Sequence, residues 1–162
     1  MTSAIPFNTV LMQIPERASR THLAPQDLDK TVDRAFITAL LLTGSAKLAE
    51  AAILEGNRAM ALDHVSGEVL LRGAVNAAIG PPTEISEQLP EDLACASSML
   101  PFELRHVLHL PKALRHCFVL RFLVGLPREV CARLLHLEIR QVDERARTAI
   151  LELPTIQRNE IP

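Results

Sequence analysis

Long polar side chains near the carboxyl end of the chain have types and spacing that suit contact with nucleic acid. Within 140–147, the basic and amide residues Arg140, Gln141, Arg145 and Arg147 accompany the acidic pair Asp143 and Glu144. Arginine and glutamine side chains match the hydrogen-bonding edges of guanine and adenine. The two carboxylates repel phosphate and reduce the counterion release on which DNA affinity depends. The pattern predicts a surface that binds DNA weakly or binds a protein, and a basic stripe on a helix is also typical of a solvated face.

A second cluster combines imidazole and thiol groups. His106 and His109 are three residues apart, and His116 and Cys117 follow closely. Nitrogen and sulfur are the ligands that zinc prefers. The spacing matches no standard zinc pattern, however, and histidines at the surface or in a core are the simpler interpretation. We therefore predict no metal.

Motifs for catalysis are missing from the sequence. It contains no glycine-rich phosphate loop and no nucleophile elbow. The adjacent carboxylates at 91–92 and 143–144 are more simply interpreted as solvated charge. The sequence predicts a protein that is not an enzyme and needs no cofactor.

The composition indicates an all-α fold with an aliphatic core. Its five aromatic residues are all Phe, and no stretch alternates apolar and polar residues long enough to predict a strand. Leucine and alanine at this density favour helix over sheet. The longest apolar run, 35–42, is far shorter than the roughly 20 residues that span a bilayer. Three cysteines without a CxxC pair, expected to be buried thiols, favour a reducing compartment. We expect a cytoplasmic protein without membrane contact.

Charge is distributed unevenly along the chain. Residues 1–100 contain 7 Lys/Arg against 12 Asp/Glu, whereas residues 101–162 contain 10 against 7. The second half is therefore the part suited to a polyanion.

Proline and glycine divide the sequence into five segments. These are a loosely ordered arm (1–26), an N-terminal unit of three to four helices (27–79), a proline-rich linker (80–101), a C-terminal helical domain (102–154) and a polar tail (155–162). In the N-terminal unit, Ser45 is a candidate helix cap, Gly56 is expected to weaken the second helix, and a third helix is predicted over about 67–79. The linker has room for one short helix at 89–100.

Residues that favour helix starts and helix ends predict three successive helices in the C-terminal domain. Pro111 suits a helix start, and Gly125 suits the left-handed residue after the helix ends near Leu123. Pro127 precedes a short helix, 128–135. A turn at 136–137 follows, and Glu138 is placed to cap a final helix that ends at 153. A short helix, a tight turn and a longer helix form a helix-turn-helix.

This order of residues resembles region 4 of bacterial alternative sigma factors of the extracytoplasmic-function type. The matching positions are Leu110, Pro111, Arg115, Phe118, Leu120, Arg121, Phe122, Gly125, Leu126, Glu129, Ala132, Leu134, Leu135, Leu137, Val142 and Ala149. They follow the family's order and spacing without a gap between 110 and 153. The resemblance implies a C-terminal domain that binds promoter DNA with its second helix in the major groove.

The N-terminal unit is similar, more faintly, to region 2 of the same family. Residues 42–45, then Ala49, Glu50 and Glu55, stand where that family has a turn followed by an acidic helix, and 70–78 with Asn76 is similar to a later helix. This resemblance implies RNA polymerase core as a partner, and an anti-sigma or other regulatory protein as a further one. The sequence departs from the family where polymerase contact and strand opening need acidic, amide and aromatic residues. The departing positions are Ala51, Leu54, Asn57 and Ala61.

The resemblance implies a DNA-binding surface on the helix-turn-helix. Its candidate residues are Arg128, Arg133, Arg140, Gln141, Asp143, Glu144, Arg145 and Arg147. One alternative is a degenerate sigma-like fold that acts as a protein-interaction or regulatory module, with its two halves packed together and the helix-turn-helix face buried. A further alternative is a dimeric helix-turn-helix regulator that does not contact polymerase.

Overall fold

The protein is helical throughout the residues that its structure, a computed structural model, describes: 25–62, 67–80 and 90–159. The α-helices are α1 (Pro25–Thr43), α2 (Ala46–Leu62), α3 (Gly67–Ile79), α4 (Pro90–Met99), α5 (Phe102–Leu108), α6 (Lys112–Phe118), α7 (Arg128–Leu135) and α8 (Ile139–Asn159). A π-helical turn, Val119–Leu123, extends α6. The described residues contain no strand, so the prediction of an all-α protein is confirmed. Nearly all of the predicted arm and residues 81–89 of the predicted linker lie outside the described residues.

Helices α1, α2 and α3 pack against one another and form the N-terminal unit. Gly56 and Gly73 meet where α2 crosses α3. A Cβ atom added to Gly73 would lie 2.6 Å from the Gly56 Cα, and one added to Gly56 would lie 2.8 Å from the Leu70 carbonyl oxygen. The sequence predicts only that Gly56 weakens its helix, but in the structure this residue lets two helix backbones touch.

Helix α4 lies within the interval that the sequence assigns to a linker. Its Ala96 is fully buried, and Leu100, directly after it, is 3% exposed. Cys95 is exposed, so the expectation that all three cysteines are buried is wrong for this residue. Successive residues of a helix point in directions about 100° apart, so α4 directs Ala96 toward the core and Cys95 toward solvent.

The connection between α6 and α7 holds a tight, hydrogen-bonded turn. The Val124 N–H donates to the Val119 carbonyl 2.9 Å away, five residues back, which makes this turn π-helical. Gly125 follows with φ of +80°, the left-handed conformation that the sequence predicts for it. The Leu126 N–H then donates to the Leu120 carbonyl at 2.9 Å. The chain reverses here and enters α7 at Arg128.

The two halves of the chain share one hydrophobic core. Its buried members include Leu40, Leu41 and Leu42 from α1 together with Leu120 and Leu134 from the second half. The sequence divides the chain at 80–101, but in the structure the helices on either side of that interval bury each other's apolar faces.

Helix α8 is longer than the sequence predicts. It continues through Pro154 to Asn159, whereas the sequence places its end at Leu153. A proline inside a helix removes one backbone hydrogen bond and usually kinks or ends the helix, but α8 continues for five residues beyond Pro154. Pro154 is exposed, and Leu153 packs partly buried against the shared core. None of the helices within the described ranges is both long enough and apolar enough to cross a membrane.

Candidate nucleic-acid interface

Helices α7 and α8 are joined by a turn whose backbone is fixed by hydrogen bonds. His136 adopts the left-handed conformation, with φ of 52° and ψ of 45°. The Leu137 N–H donates to the Ala132 carbonyl at 2.9 Å, and the His136 N–H donates to the Arg133 carbonyl at 3.4 Å. These two bonds form a Schellman motif, which satisfies carbonyls that the end of α7 leaves open. The turn therefore holds α7 and α8 in a fixed relation.

The start of α8 is capped by one of the predicted site residues. The Glu138 N–H donates to Oε1 of Gln141 at 3.0 Å, and the Val142 N–H donates to the Glu138 carbonyl at 3.1 Å. A side chain at the third helical position that bonds back to the residue before the helix is half of a capping box. The side-chain oxygen of Gln141 is thus engaged in capping the start of α8, and its side-chain amide nitrogen is the part left to face a ligand.

Helix α8 has one buried and one exposed face. Val142 and Ala149 are fully buried in the core. Arg140, Glu144 and Arg147 are exposed, and their spacing of four and three residues places them along a single face. The packing of the two halves therefore leaves the outward face of α8 open to solvent.

Arg145 is separated from the other candidate residues. Successive residues of an α-helix are rotated by about 100°, so Arg145 and Arg147 point in nearly opposite directions. Arg145 is half-buried and lies close enough to Cys117, on α6, to act on its thiol. Burial raises the pKa of Cys117, and the positive charge of Arg145 partly opposes that rise. Arg145 thus lies on the flank that faces α6.

Arg128 is held in two ion pairs at the edge of this surface. Its Nε donates to Glu129 Oε1 at 3.0 Å, and its Nη1 donates to Asp143 Oδ2 at 3.3 Å. The bonds to Glu129 and then Asp143 raise the pKa of Arg128. The bond that Glu129 accepts from its own backbone N–H, and then the contact with Arg128, lower the pKa of Glu129. Asp143 therefore links α8 to α7 and partly neutralises the positive charge of Arg128.

Charges on the exposed part of the motif are balanced in sign. Cationic side chains come from Arg128, Arg133, Arg140 and Arg147, and anionic ones from Glu129, Glu138, Asp143 and Glu144. Four of these residues, Glu129, Arg133, Glu138 and Arg140, border a shallow groove of about 500 Å³ between α7 and the start of α8, with an apolar floor that includes Ala132, Leu137 and Ile139. Balanced charge gives a weak long-range attraction for phosphate, while the apolar floor suits a hydrophobic side chain.

Two residues that the sequence analysis does not assign to a site join the halves of the protein. Nε2 of His116 is 2.9 Å from the Leu42 carbonyl and donates its proton there, since a carbonyl only accepts. Nη2 of Arg34 donates to the Leu123 carbonyl at 3.3 Å. Nothing in the sequence marks either backbone acceptor, because a carbonyl of this kind becomes available only where a helix ends.

A buried arginine lies beside this junction. Arg115 is 2% exposed, and its Nη1 donates to the Leu108 carbonyl at 2.9 Å. Its Nε and Nη2 have no hydrogen-bond partner among the described residues. Burial lowers the pKa of His116 to about 4, against the opposing effect of the Leu42 bond, and the positive charges of Arg115 and Lys112 lower it further. His116 is therefore neutral near pH 7.

The histidine and cysteine cluster does not assemble into a metal site. Among the described residues, no group of three or more His, Cys, Asp or Glu side chains is arranged to hold a metal ion. His116 is engaged with Leu42, and His106 packs edge-on against Phe102 with ring centroids 5.8 Å apart. Cys117 and Cys131 are fully buried, as the sequence predicts, and burial raises the pKa of Cys131 to about 12. Both thiols therefore stay protonated in the core.

Comparisons of this chain with protein-family models, with curated proteins and with solved structures found no match.

Proposed function

We propose that the chain is a sigma-factor-like transcription protein whose C-terminal helix-turn-helix binds promoter DNA. The observation that carries this proposal is the open outward face of α8, which keeps Arg140 and Arg147 in solvent although the two halves pack together. A second helix exposed along one face and anchored by its other face is what major-groove entry requires.

The candidate residues take different parts in this proposal. Arg140 and Arg147 face the major groove of the DNA, where arginine side chains hydrogen-bond to the edges of guanine. Arg133, exposed on α7, and Arg128 are placed for phosphate. Because Asp143 and Glu129 hold Arg128, few phosphates are neutralised, and the affinity has a shallow dependence on salt.

RNA polymerase core is the proposed partner of the N-terminal unit. The resemblance to region 2 places polymerase contact on α2, which exposes two large apolar side chains, Leu48 at 51% and Leu54 at 65%. Ala51 lies between them on the exposed side. A partner that covers this face removes apolar surface from water, which favours binding.

The test uses the full-length chain, core RNA polymerase and a pool of promoter fragments across a salt series. We expect recovery of polymerase and selective DNA binding that weakens only gradually as the salt concentration rises. Arg140→Glu with Arg147→Glu is expected to lower DNA affinity at least tenfold, whereas Arg58→Glu, on the exposed side of α2, leaves it unchanged. Leu54→Glu is expected to reduce polymerase recovery, with the exposed Leu151→Glu on α8 as its control. Equal DNA binding by the double variant and the wild type would refute the proposed DNA surface.

A second candidate function is a regulatory protein-interaction module. Two observations favour it: the balanced charge of the helix-turn-helix and the apolar floor of the groove beside Ile139, a side chain that is 41% exposed. Under this proposal the wild type retains neither DNA nor polymerase, and Ile139→Glu disrupts capture of a protein partner that Leu151→Glu leaves bound. DNA retention that Ile139→Glu does not alter would favour the first candidate.

A further inference from the structure

A pocket lies at the junction of the two halves, away from the helix-turn-helix face. It has a volume of about 240 Å³. The residues around it are Arg34 from α1, Glu68, Leu71, Arg72 and Val75 from α3, and Val124 and Leu126 from the turn before α7. Each half of the chain contributes one wall, so a molecule in this pocket contacts both.

The floor of the pocket is aliphatic and its edge is cationic. Val75 is 2% exposed and Leu126 is 8% exposed, whereas Arg34 is exposed. The guanidinium of Arg34 uses one nitrogen for the Leu123 carbonyl. Arg72 forms an ion pair with Glu68 through Nη2, but its Nε is buried and has no hydrogen-bond partner among the described residues. A buried donor without an acceptor is unfavourable, so the guanidinium of Arg72, which borders the pocket, is incompletely hydrogen-bonded.

The charge and size of the pocket restrict its ligand. Two guanidinium groups and the carboxylate of Glu68 leave one net positive charge, which suits a monoanion. A doubly charged phosphate would meet Glu68 and an aliphatic floor without donors. The volume equals that of roughly eight water molecules at about 30 Å³ each, and it is smaller than the roughly 300–1,000 Å³ of sites for drug-sized ligands. A compact apolar body with one carboxylate fits both limits.

We propose that this pocket binds a small organic monocarboxylate, whose carboxylate lies between Arg34 and Arg72 and whose apolar part covers Val75 and Leu126. Guanidinium and carboxylate groups form charge-assisted hydrogen bonds of matched geometry. Because the ligand spans both walls, its binding favours the packed arrangement of the halves. This proposal is independent of DNA binding.

Titration of the full-length chain with benzoate, hexanoate, benzyl alcohol and inorganic phosphate, followed by calorimetry and methyl NMR, tests the proposal. We expect both carboxylates to bind with a Kd of about 1 mM or tighter, which corresponds to about −4 kcal/mol. The neutral alcohol and phosphate are expected to bind at least tenfold more weakly. Methyl shifts are expected at Leu71, Val75, Val124 and Leu126. At ten times Kd, benzoate is expected to raise Tm by about 3–6 °C.

Matched variants separate this site from non-specific anion binding. Arg72→Gln is expected to weaken benzoate binding at least tenfold. Arg58→Gln removes an exposed arginine that is similarly paired on its own helix, with Glu55 at 3.1 Å, and is expected to leave binding unchanged. Val124→Phe fills the pocket and is expected to abolish binding. Three results with the wild type alone would each overturn the proposal, so the test does not depend on the folding of a variant. These are methyl shifts confined to residues outside the pocket, equal affinity for benzyl alcohol and benzoate, and tighter binding of phosphate than of benzoate.

Discussion

Protonation of His116 is expected to destabilise the junction of the two halves. The residue is 9% exposed, and burial, the largest cause, lowers its pKa from 6.5 to about 4. In the unfolded chain the ring takes up a proton as the pH falls below 6.5, but in the folded chain it stays neutral until the pH approaches 4. The stability that depends on neutral His116 is therefore present above pH 6.5 and is lost as the pH falls from 6.5 to 4.

The size of this effect follows from the difference between the two pKa values. Each pKa unit corresponds to about 1.4 kcal/mol, so the shift amounts to about 3 kcal/mol when complete. At pH 4.5 the wild type is expected to have lost roughly 2–3 kcal/mol of unfolding free energy through this one ring. Other groups also titrate in this range, and a difference between variants removes their contribution.

Urea unfolding followed by far-ultraviolet circular dichroism between pH 7.5 and 4.5 measures this loss, since the chain has no Trp or Tyr to report by fluorescence. His116→Gln keeps an amide donor for the Leu42 carbonyl but does not titrate. It is expected to lose roughly 2–3 kcal/mol less stability than the wild type over that range. His109→Gln, at an exposed position, is expected to follow the wild type. Identical pH dependence in His116→Gln and the wild type would refute the reasoning.

Three further predictions concern the helix crossing, the helix cap and the masked arginine. Gly73→Ala is expected to destabilise the protein by about 1–3 kcal/mol in urea unfolding, because contact with Gly56 outweighs the gain of about 1 kcal/mol in helix propensity; a more stable variant would contradict this packing. Gln141→Ala removes the acceptor for the N–H of Glu138, the residue directly before α8, and is expected to lower Tm by about 2–4 °C, whereas Gln141→Glu keeps an acceptor and most of the Tm. Asp143→Asn removes one of the two ion pairs of Arg128, leaving the pair with Glu129, and is expected to raise DNA affinity and steepen the plot of log K against log salt by up to about one unit; an unchanged slope, as expected for the control Glu152→Gln, would argue against a phosphate contact.

Much of the helical framework could be predicted from local sequence signals. Pro127 and the turn at His136 define α7 from Arg128 to Leu135, and Gly125 takes the left-handed conformation expected for it. These signals are local because a proline or a left-handed residue determines the backbone at its own position. The end of α8 is harder to predict, since the helix continues through Pro154, a residue type that usually ends a helix.

The arrangement of the halves could not be predicted from the same signals. Burial of Ala96 depends on tertiary contact between segments distant in sequence. The apolar periodicity of one helix does not predict which other segment packs against it. The role of Gly56 was likewise hidden, because a glycine that weakens a helix and one that lets two helices touch look alike in a sequence. The sequence favours a surface or core position for His116 over a metal-binding one, but it does not indicate the hydrogen bond to the carbonyl of Leu42, which lies 74 residues away along the chain.

The candidate DNA surface shows the same limits. Periodicity indicates that Arg140 and Arg147 share a face, and both are exposed together. The ion pair of Arg128 with Asp143 joins residues 15 positions apart and depends on how α7 and α8 are held. The sequence placed Arg145 in the same surface, but the rotation of the helix turns it toward α6.

The core that runs through both halves also limits how such a chain can evolve. A domain can be exchanged readily when it buries its own apolar surface. Here Leu40 and Leu42 are covered together with Leu120 and Leu134, so a change of residue size on one side requires a compensating change on the other. Chimaeras that graft a foreign helix-turn-helix after residue 101 would expose leucines on both sides of the graft, and recombination at that point would be selected against.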